Sequence, residues 1–322
     1  MDITRIEAAA ERLRGNVRRT PLLSSAALDA IAGRRVLVKA ECLQHTGSFK
    51  ARGGWAAISA LTAEERACGV IAYSSGNHAQ GVARAARALG VHAVIVMPSD
   101  APRSKIDGTR AYGAELVFYD RATGDREALG AGIAEERGLT LILPYDHPEV
   151  IAGQGTAGLE IAEQAAEMGV REAEVVVCCG GGGFTSGIAL ALEAHAPEMR
   201  VRPAEPTGFD DVARSLASGS KQFNAQTGGG LCDAILTPTP GTLTLPILSR
   251  LCGPGLVVED DEVLRAMALA FRHLRLVVEP GGAVALASAL FRPEAFEGHT
   301  AIATLSGGNV DPDVFRRALD LV

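Results

Sequence analysis

The fold is decided by residues 174–194, which read EVVVCCGGGGFTSGIALALEA. A valine-rich apolar run is followed by four glycines and then by apolar residues that recur with the period of a helix. This order predicts a buried strand, a turn and a helix, the basic unit of a parallel α/β sheet. Consecutive glycines let neighbouring backbone N–H groups point at one spot, and the following helix adds the positive end of its dipole. The turn therefore suits a phosphate dianion.

This glycine turn has more than one interpretation. It lacks the Lys-Ser/Thr pair of a Walker A loop and the G-x-G-x-x-G spacing, which disfavours ATP and dinucleotides. A glycine-rich turn between a strand and a helix also occurs without any ligand. Its position favours phosphate, because ligands of open α/β sheets bind beyond the carboxyl ends of the strands.

The alternation of strands and helices continues on both sides of the turn. Short β-branched runs such as residues 70–73 and 300–305 alternate with helical patterns such as residues 77–89 and 155–168. Several runs are apolar at nearly every position, as in strands that are buried on both faces. The sequence therefore predicts an α/β fold in which parallel sheets are flanked by helices. Residues 218–246 have the weakest periodicity and predict a long functional loop.

Composition excludes several classes of function. Hydrophobic residues make up 47% of the 322 residues and charged residues 21%, which is enough apolar material for a packed core. The net charge of −7 argues against binding to nucleic acid. No apolar run approaches the roughly 20 residues that span a membrane. The six cysteines have no C-x-x-C spacing and predict buried thiols in a reducing compartment, so we expect a cytoplasmic protein.

The second motif is TGSFKARG at residues 46–53, at the start of a predicted helix. An isolated lysine is normally a solvated surface group. Lys50 differs because an aromatic residue and small polar residues lie beside it at a helix N-terminus. Partial burial and the helix end should lower the pKa of its amine. Lys50 is therefore a candidate for imine formation with an aldehyde.

Two further motifs follow predicted strands. SSGNHAQG at residues 74–81 concentrates hydroxyl, amide and free N–H groups at a helix N-terminus, which suits a carboxylate. An ordinary helix cap made by Ser75 or Asn77 is the alternative. SGGN at residues 306–309 is by itself only a turn at the end of a strand.

In this order, SFKARG, SSGNHAQG, GGGG and SGGN resemble the fold-type II pyridoxal-phosphate (PLP) enzymes, most closely the serine/threonine dehydratase and serine racemase branch. Three longer segments resemble the same branch: PSDAPRSKIDGTRAYGAEL at 98–116, IAGQGTAGLEI at 151–161 and VEPGGAVA at 278–285. The cysteine synthases carry a different sequence around their lysine, and threonine synthase matches SSGNHAQG less closely.

The resemblance implies a two-domain enzyme with PLP between the domains. The large PLP-binding domain would comprise residues 1–51 and 146–322, and the small mobile domain residues 52–145. Closure of the small domain over the substrate would expel water. A homodimer is the expected assembly. Because little sequence follows SGGN, we expect neither a regulatory domain nor feedback by isoleucine.

The resemblance also implies roles for individual residues. Lys50 would form the imine with PLP and then take the Cα proton, while Phe49 packs beside the pyridine ring. Ser306 would face the pyridine nitrogen; because a hydroxyl cannot protonate it as a carboxylic acid would, β-elimination of water is expected to dominate. The other implied contacts are Asn77 with the ring 3′-oxygen, Gly180, Gly181, Gly182 and Gly183 with the 5′-phosphate, and Ser75, Gly76, Asn77 and His78 with the substrate.

Two implied sites have alternatives. The segment EPTGFDD at 205–211 resembles the cation site of this branch, with Glu205, Asp211 and the Phe209 carbonyl as ligands. Oxygen ligands suit Mg²⁺, with Ca²⁺ or Mn²⁺ as alternatives; an acidic helix start is the other interpretation. Arg126 matches an arginine that reaches the substrate in racemase-like members, where it would pair with a second carboxylate and favour β-hydroxyaspartate. A solvated charge on a helix is the alternative for Arg126.

The sequence therefore predicts a PLP-dependent ammonia-lyase that converts a small β-hydroxy amino acid to a 2-oxo acid and ammonia. L-Threonine or L-serine is the default substrate, and β-hydroxyaspartate is the variant. Serine racemase is an alternative that needs Ser75 as an acid/base on the face opposite Lys50. Outside the enzymes, the alternative is a catalytically silent sensor of an amino acid or phosphate ligand on the same fold.

Overall fold

Two sheets organise the chain. The computed structural model describes residues 1–74, 76–101, 103–120, 123–226 and 228–322, apart from the side chain of Ser104. The strands are β1 (Leu22–Ser24), β2 (Arg35–Lys39), β3 (Val70–Tyr73), β4 (Ala93–Pro98), β5 (Glu115–Tyr119), β6 (Thr140–Leu141), β7 (Ala173–Cys178), β8 (Met199–Pro206), β9 (Leu256–Val258) and β10 (Thr300–Thr304). The helices are α1 (Ile3–Leu13), α2 (Ala26–Ala32), α3 (Lys50–Ser59), α4 (Ala63–Cys68), α5 (Asn77–Leu89), α6 (Arg103–Ala111), α7 (Arg126–Arg137), α8 (Pro148–Glu167), α9 (Gly183–His195), α10 (Asp211–Ser218), α11 (Thr244–Leu251), α12 (Asp260–Leu274), α13 (Pro280–Phe291) and α14 (Pro312–Leu319).

The larger sheet has six strands in the order β1-β2-β10-β7-β8-β9, and the smaller has four in the order β5-β4-β3-β6. Every pairing is parallel except that of β1 with β2. Val175, Val176 and Val177 of β7 are each 0% exposed, so this strand is buried on both faces as its apolar run predicts. The predicted α/β class with parallel sheets flanked by helices is confirmed.

The two sheets draw on different parts of the chain. The larger sheet combines β1 and β2 with β7 to β10, and β10 lies between β2 and β7. The smaller sheet is continuous in sequence, from β3 to β6. The domain boundaries at residues 52 and 145, and the mobility of the small domain, stay predictions. Within the described residues, no helix is long and apolar enough to cross a membrane.

The structure departs from the sequence-based expectations in three elements. Helix α8 begins at Pro148, several residues before the periodic pattern, because a proline lacks the N–H that the first helical position leaves unused. Strand β1 is a short antiparallel edge strand that gives little periodicity. Helix α11 begins at Thr244, within the segment expected to be a loop.

A buried ionic network fixes the start of α3. The Arg52 guanidinium donates to both carboxylate oxygens of Glu41 at 2.8 Å and to Glu160 Oε1 at 2.7 Å. Lys39 Nζ donates to Glu160 Oε2 at 2.5 Å, and Lys39, Glu41 and Arg52 are all 0% exposed. Loss of one partner would leave an unpaired buried charge, at a cost of about 3–5 kcal/mol. The network therefore holds the first turn of α3, and with it Lys50, in one position.

Candidate active site

One cavity collects most of the predicted site residues. The carboxyl ends of β3 and β7, from different sheets, both contribute to its lining. The predicted residues that line it are Phe49, Lys50, Gly76, Asn77, His78, Arg126, Gly180, Gly181, Gly182 and Gly183. Ser306 is 3% exposed and is not part of the lining; its carbonyl accepts the Phe49 N–H at 3.1 Å. Ser75 lies outside the described residues, so its roles as acid/base and substrate ligand stay predictions.

Lys50 is the first residue of α3, and its partly buried side chain lines the cavity. Burial lowers the pKa of the Lys50 amine to about 8. Lys50 Nζ donates to the carbonyl oxygen of Pro144 at 2.6 Å and lies 5.2 Å from the centre of the Phe49 ring. Phe49 stacks on Phe184 with ring centres 4.1 Å apart. A neutral amine is therefore available near neutral pH, beside a stacked pair of aromatic rings.

The glycine turn has no room for side chains. A Cβ at Gly181 would collide with the ring of Tyr145, and a Cβ at Gly180 would lie 2.9 Å from the Ile235 carbonyl oxygen. Gly182 has a φ of 91°, in the left-handed region that favours glycine. Helix α9 begins immediately afterwards at Gly183, so its free N–H groups point toward the turn. The geometry is that of an anion cradle at a helix N-terminus.

The amide of Asn77 has a fixed orientation. Asn309 Nδ2 donates to Asn77 Oδ1 at 2.7 Å, and Asn77 Nδ2 donates to Glu279 Oε1 at 2.6 Å. Asn77 Nδ2 carries two N–H groups, and the one that does not donate to Glu279 is available to a ligand in the cavity. This is the polarity that the predicted contact with an oxygen atom of a cofactor requires.

Glu279 is a carboxyl of the cavity lining that the sequence motifs did not single out. It is 2% exposed, and burial raises its pKa to about 8. The negative charge of Asp233 acts in the same direction, whereas the hydrogen bond from Asn77 and the positive charge of Lys105 oppose it. Glu279 is therefore largely protonated at neutral pH.

We expect Glu279→Gln to change the pH dependence of stability. A carboxyl whose folded-state pKa is raised contributes stability that is fully present below its unfolded pKa and is lost as the pH rises through the folded value, here near 8. Glutamine keeps an acceptor for Asn77 and carries no charge. The melting temperature of the cofactor-free wild type should therefore fall, between pH 6 and pH 9, by about 2–4 °C more than that of the cofactor-free variant.

Glu297→Gln, at an exposed carboxylate, is the matched control for this experiment and should show no such trend. A difference between Glu279→Gln and wild type that stays constant from pH 6 to pH 9 would mean that Glu279 titrates in its ordinary range.

His78 is buried and neutral. Its Nε2 lies 2.9 Å from the carbonyl oxygen of Ile142, which can only accept, so Nε2 carries the proton. Burial and the charge of Lys50 lower the pKa of His78 to about 3. The imidazole thus has no free N–H for a substrate carboxylate. The predicted contact of His78 with the substrate would therefore be made by its main-chain N–H, in the first turn of α5.

Positive charge enters the cavity from α6 and α7. Lys105 Nζ forms an ion pair with Asp233 at 2.5 Å. The side chain of Asp125 caps α7 by accepting the N–H groups of Glu127 and Ala128, which places Arg126 at the first helical position. The Arg126 guanidinium lies 5.7 Å from the centre of the Tyr73 ring. Arg126 is exposed at the edge of α7, and within the described residues it has no carboxylate partner.

Two of the three predicted cation ligands, Glu205 and Asp211, lie close to each other at the end of β8 and the start of α10. Both oxygens of Glu205 accept backbone N–H groups, from Val212 at 2.9 Å and Ala213 at 2.7 Å. Asp211 accepts a hydrogen bond from Asn224 at 2.6 Å, and its other oxygen is buried without a partner in the described part of the chain. Burial raises the pKa of both carboxyls, with a further contribution from Asp211 to the rise at Glu205. Two buried carboxyls and an unsatisfied oxygen fit a bound cation.

A buried primary amine, a phosphate cradle and a fixed amide donor in one cavity fit a cofactor that has both an aldehyde and a phosphate. These features define the class of enzymes that use pyridoxal phosphate. The sequence profile of the family described as "Pyridoxal-phosphate dependent enzyme" matches residues 13–307, and the chain belongs to this family. The resemblance seen in the motifs is thereby confirmed.

Individual relatives show which members of this family the chain is similar to. The chain is 43% identical to the L-threo-3-hydroxyaspartate ammonia-lyase of Pseudomonas sp over 97% of this chain and 96% of the relative. It is 38% identical to a serine racemase of Oryza sativa subsp. indica over 99% and 94% of the two chains. The crystal structure of a threonine deaminase from T.th. superposes with a TM-score of 0.91 at 43% identity, covering 97% of this chain and 99% of that one. The predicted PLP-dependent ammonia-lyase class is confirmed, which disfavours the sensor alternative.

Proposed function

We propose that this enzyme is a PLP-dependent 3-hydroxyaspartate ammonia-lyase that converts L-threo-3-hydroxyaspartate to oxaloacetate and ammonia. One observation carries the proposal: Arg126 lines the cavity that contains Lys50, and within the described residues no carboxylate pairs with it. Serine and threonine have one carboxylate, whereas hydroxyaspartate has a second that an unpaired guanidinium can bind. The Pseudomonas relative bears the name of the same reaction.

The other cations of the cavity are already engaged. Lys105 pairs with Asp233 at 2.5 Å, and Lys50 Nζ donates to the Pro144 carbonyl at 2.6 Å. Arg126 is therefore the guanidinium that remains for a second carboxylate. The first carboxylate of the substrate would bind at the start of α5, where Gly76 and the N–H groups of the first turn line the cavity.

Each of the cavity residues has a separate role in the proposed reaction. PLP, when bound, supplies the electron sink that makes the Cα proton of the substrate acidic. Lys50 is the base, because its pKa of about 8 leaves a useful fraction of neutral amine near neutral pH. Asn77 would donate an N–H to the ring 3′-oxygen of PLP, and the turn Gly180–183 would hold its 5′-phosphate. Loss of the Cα proton and of the β-hydroxyl as water gives an enamine, and its hydrolysis gives the 2-oxo acid and ammonia.

Release of 2-oxo acid from a panel of substrates tests this proposal. The panel contains L-serine, L-threonine and the stereoisomers of β-hydroxyaspartate, and D-serine formation is measured alongside. We expect kcat/KM for L-threo-3-hydroxyaspartate to exceed that for serine and threonine at least about tenfold, since a charged hydrogen bond contributes about 1.5–3 kcal/mol. A higher value for serine or threonine would restore the default substrate, and D-serine formed faster than pyruvate would identify a racemase.

We propose in addition that Glu205, Asp211 and the Phe209 carbonyl bind a divalent cation, with Mg²⁺ preferred and Ca²⁺ or Mn²⁺ as alternatives. The support is the buried oxygen of Asp211 without a hydrogen-bond partner in the described structure, beside a second buried carboxyl. Oxygen ligands of this kind suit hard cations. Charge neutralisation by the cation would relieve the cost of burying both carboxylates.

Removal of the cation should destabilise the enzyme. We expect EDTA to lower the melting temperature and millimolar Mg²⁺ to restore it, because a ligand that binds only the folded state stabilises it. Asp211→Asn should remove the response to both. Asp210→Asn is the matched control, since the partly exposed Asp210 pairs with Arg214 at 3.2 Å and should leave the response intact. A wild-type melting temperature that ignores EDTA and Mg²⁺ would contradict the site.

A cytoplasmic location and a homodimeric assembly complete the proposal. The net charge of −7 supports an enzyme that does not bind nucleic acid. Sedimentation of the holoenzyme would test the assembly.

A further inference from the structure

Tyr73 forms part of the cavity wall on the side of Arg126. It is the last residue of β3, is 8% exposed, and lines the same cavity as Lys50 and Arg126. Its ring is held on two sides. The Arg126 guanidinium lies 5.7 Å from the ring centre, and a Cβ at Gly130 of α7 would lie 3.0 Å from Tyr73 Cδ1. The ring is therefore packed tightly between β3 and α7.

The hydroxyl of Tyr73 is free to bind a ligand. Among the described residues, no hydrogen bond joins this hydroxyl to the protein. Burial raises the pKa of Tyr73 to about 12, assisted by the negative charge of Glu127. The phenol is thus protonated throughout the working range of pH and acts as a hydrogen-bond donor.

We infer that Tyr73 and Arg126 form one subsite for the distal carboxylate of a diacid substrate. Arg126 supplies the positive charge, and the Tyr73 hydroxyl donates a hydrogen bond to a carboxylate oxygen. The inference rests on the proposed function and adds a residue that determines specificity. Hydrogen bonds that only the second carboxylate of a diacid can accept favour the diacid over a substrate with one carboxylate.

The second tyrosine of the cavity, Tyr145, lies nearer the glycine turn. The Tyr145 ring covers Gly181, and its carbonyl lies within 2.7 Å of a Cβ placed on Gly183. The charges of Arg126 and Glu127 act on the hydroxyls of both tyrosines. Tyr73 is the tyrosine whose ring the Arg126 guanidinium faces, at 5.7 Å from the ring centre.

Tyr73→Phe tests the inference, because phenylalanine keeps the ring contacts with Arg126 and Gly130 and removes only the hydroxyl. We expect the ratio of kcat/KM for L-threo-3-hydroxyaspartate to that for L-serine to fall about tenfold, mainly through KM. The inhibition constant of succinate, a four-carbon dicarboxylate without the reacting groups, should rise by a similar factor with L-serine as reporter substrate. Tyr112→Phe removes a hydroxyl outside this cavity and should change neither quantity.

The possible results distinguish a failure of the proposed function from a failure of the Tyr73–Arg126 subsite. If the wild type releases no oxaloacetate from hydroxyaspartate, the proposed function fails, and the succinate measurement still reports on the subsite. If the wild type is active but Tyr73→Phe changes both the specificity ratio and the succinate constant less than twofold, the proposed function stands and the subsite is overturned.

Discussion

Replacing Lys50 by alanine should abolish turnover of every substrate. The loss should be at least about 10⁴-fold in kcat, because the substitution removes both the amine that bonds to PLP and the base for the Cα proton. Among the described residues, the side chain makes one hydrogen bond, to Pro144 O, and it lies at the beginning of a helix whose first turn is fixed by Arg52. The variant should therefore fold, with a melting temperature close to that of the wild type.

Borohydride reduction gives this experiment a second measurement. In the wild type, reduction followed by peptide mass mapping should find the cofactor attached to the peptide that contains Lys50. The Lys50→Ala variant should carry no label, and Lys221→Ala, at an exposed lysine, should be labelled and active like the wild type. A label on another lysine, or residual turnover within about a hundredfold of the wild type, would show that Lys50 is not the base.

Arg126→Ala should cause the largest change in specificity. We expect kcat/KM for L-threo-3-hydroxyaspartate to fall about 100-fold, because a charged hydrogen bond contributes about 1.5–3 kcal/mol and the substrate carboxylate is left unpaired. The value for L-serine should fall by less than about fivefold, since serine has no second carboxylate.

Two further variants test whether the planar guanidinium of Arg126 matters and whether the effect is limited to this position. Arg126→Lys keeps the charge without the planar fork and should give an intermediate loss. Arg137→Ala, at the other end of α7, removes an arginine that pairs with Glu115 at 2.8 Å on the surface and should not alter specificity. Equal losses on hydroxyaspartate and serine for Arg126→Ala would remove this residue from the recognition of the diacid.

The parts of the site that could be predicted from the sequence are continuous along the chain. The turn Gly180–183 stands between an apolar run and a helical pattern, so its position at a strand end follows from local periodicity. Lys50 could be identified because its neighbours are unusual for a surface lysine. The lowered pKa was predicted in direction, and burial accounts for it.

The parts that could not be predicted depend on distant contacts. Asn77 and Glu279 are 202 positions apart, and only the folded chain shows that they share a hydrogen bond. Tyr73 ends a strand and could have been singled out by that position alone, yet its role depends on α7 packing against its ring. Likewise, only the folded chain shows that Lys105 pairs with Asp233 whereas Arg126 has no carboxylate partner among the residues that the structure describes.

The position of β10 has a consequence for how the enzyme is made. Thr300 pairs with Arg35, so the strand that completes the middle of the larger sheet leaves the ribosome long after β2 and after β7. A nascent chain that lacks it has β2 and β7 without their shared neighbour. The smaller sheet, by contrast, is complete once β6 has emerged and can form during synthesis. Binding of PLP should therefore wait until β10 has left the ribosome, and chains arrested before position 300 should carry no cofactor and be exposed to proteases.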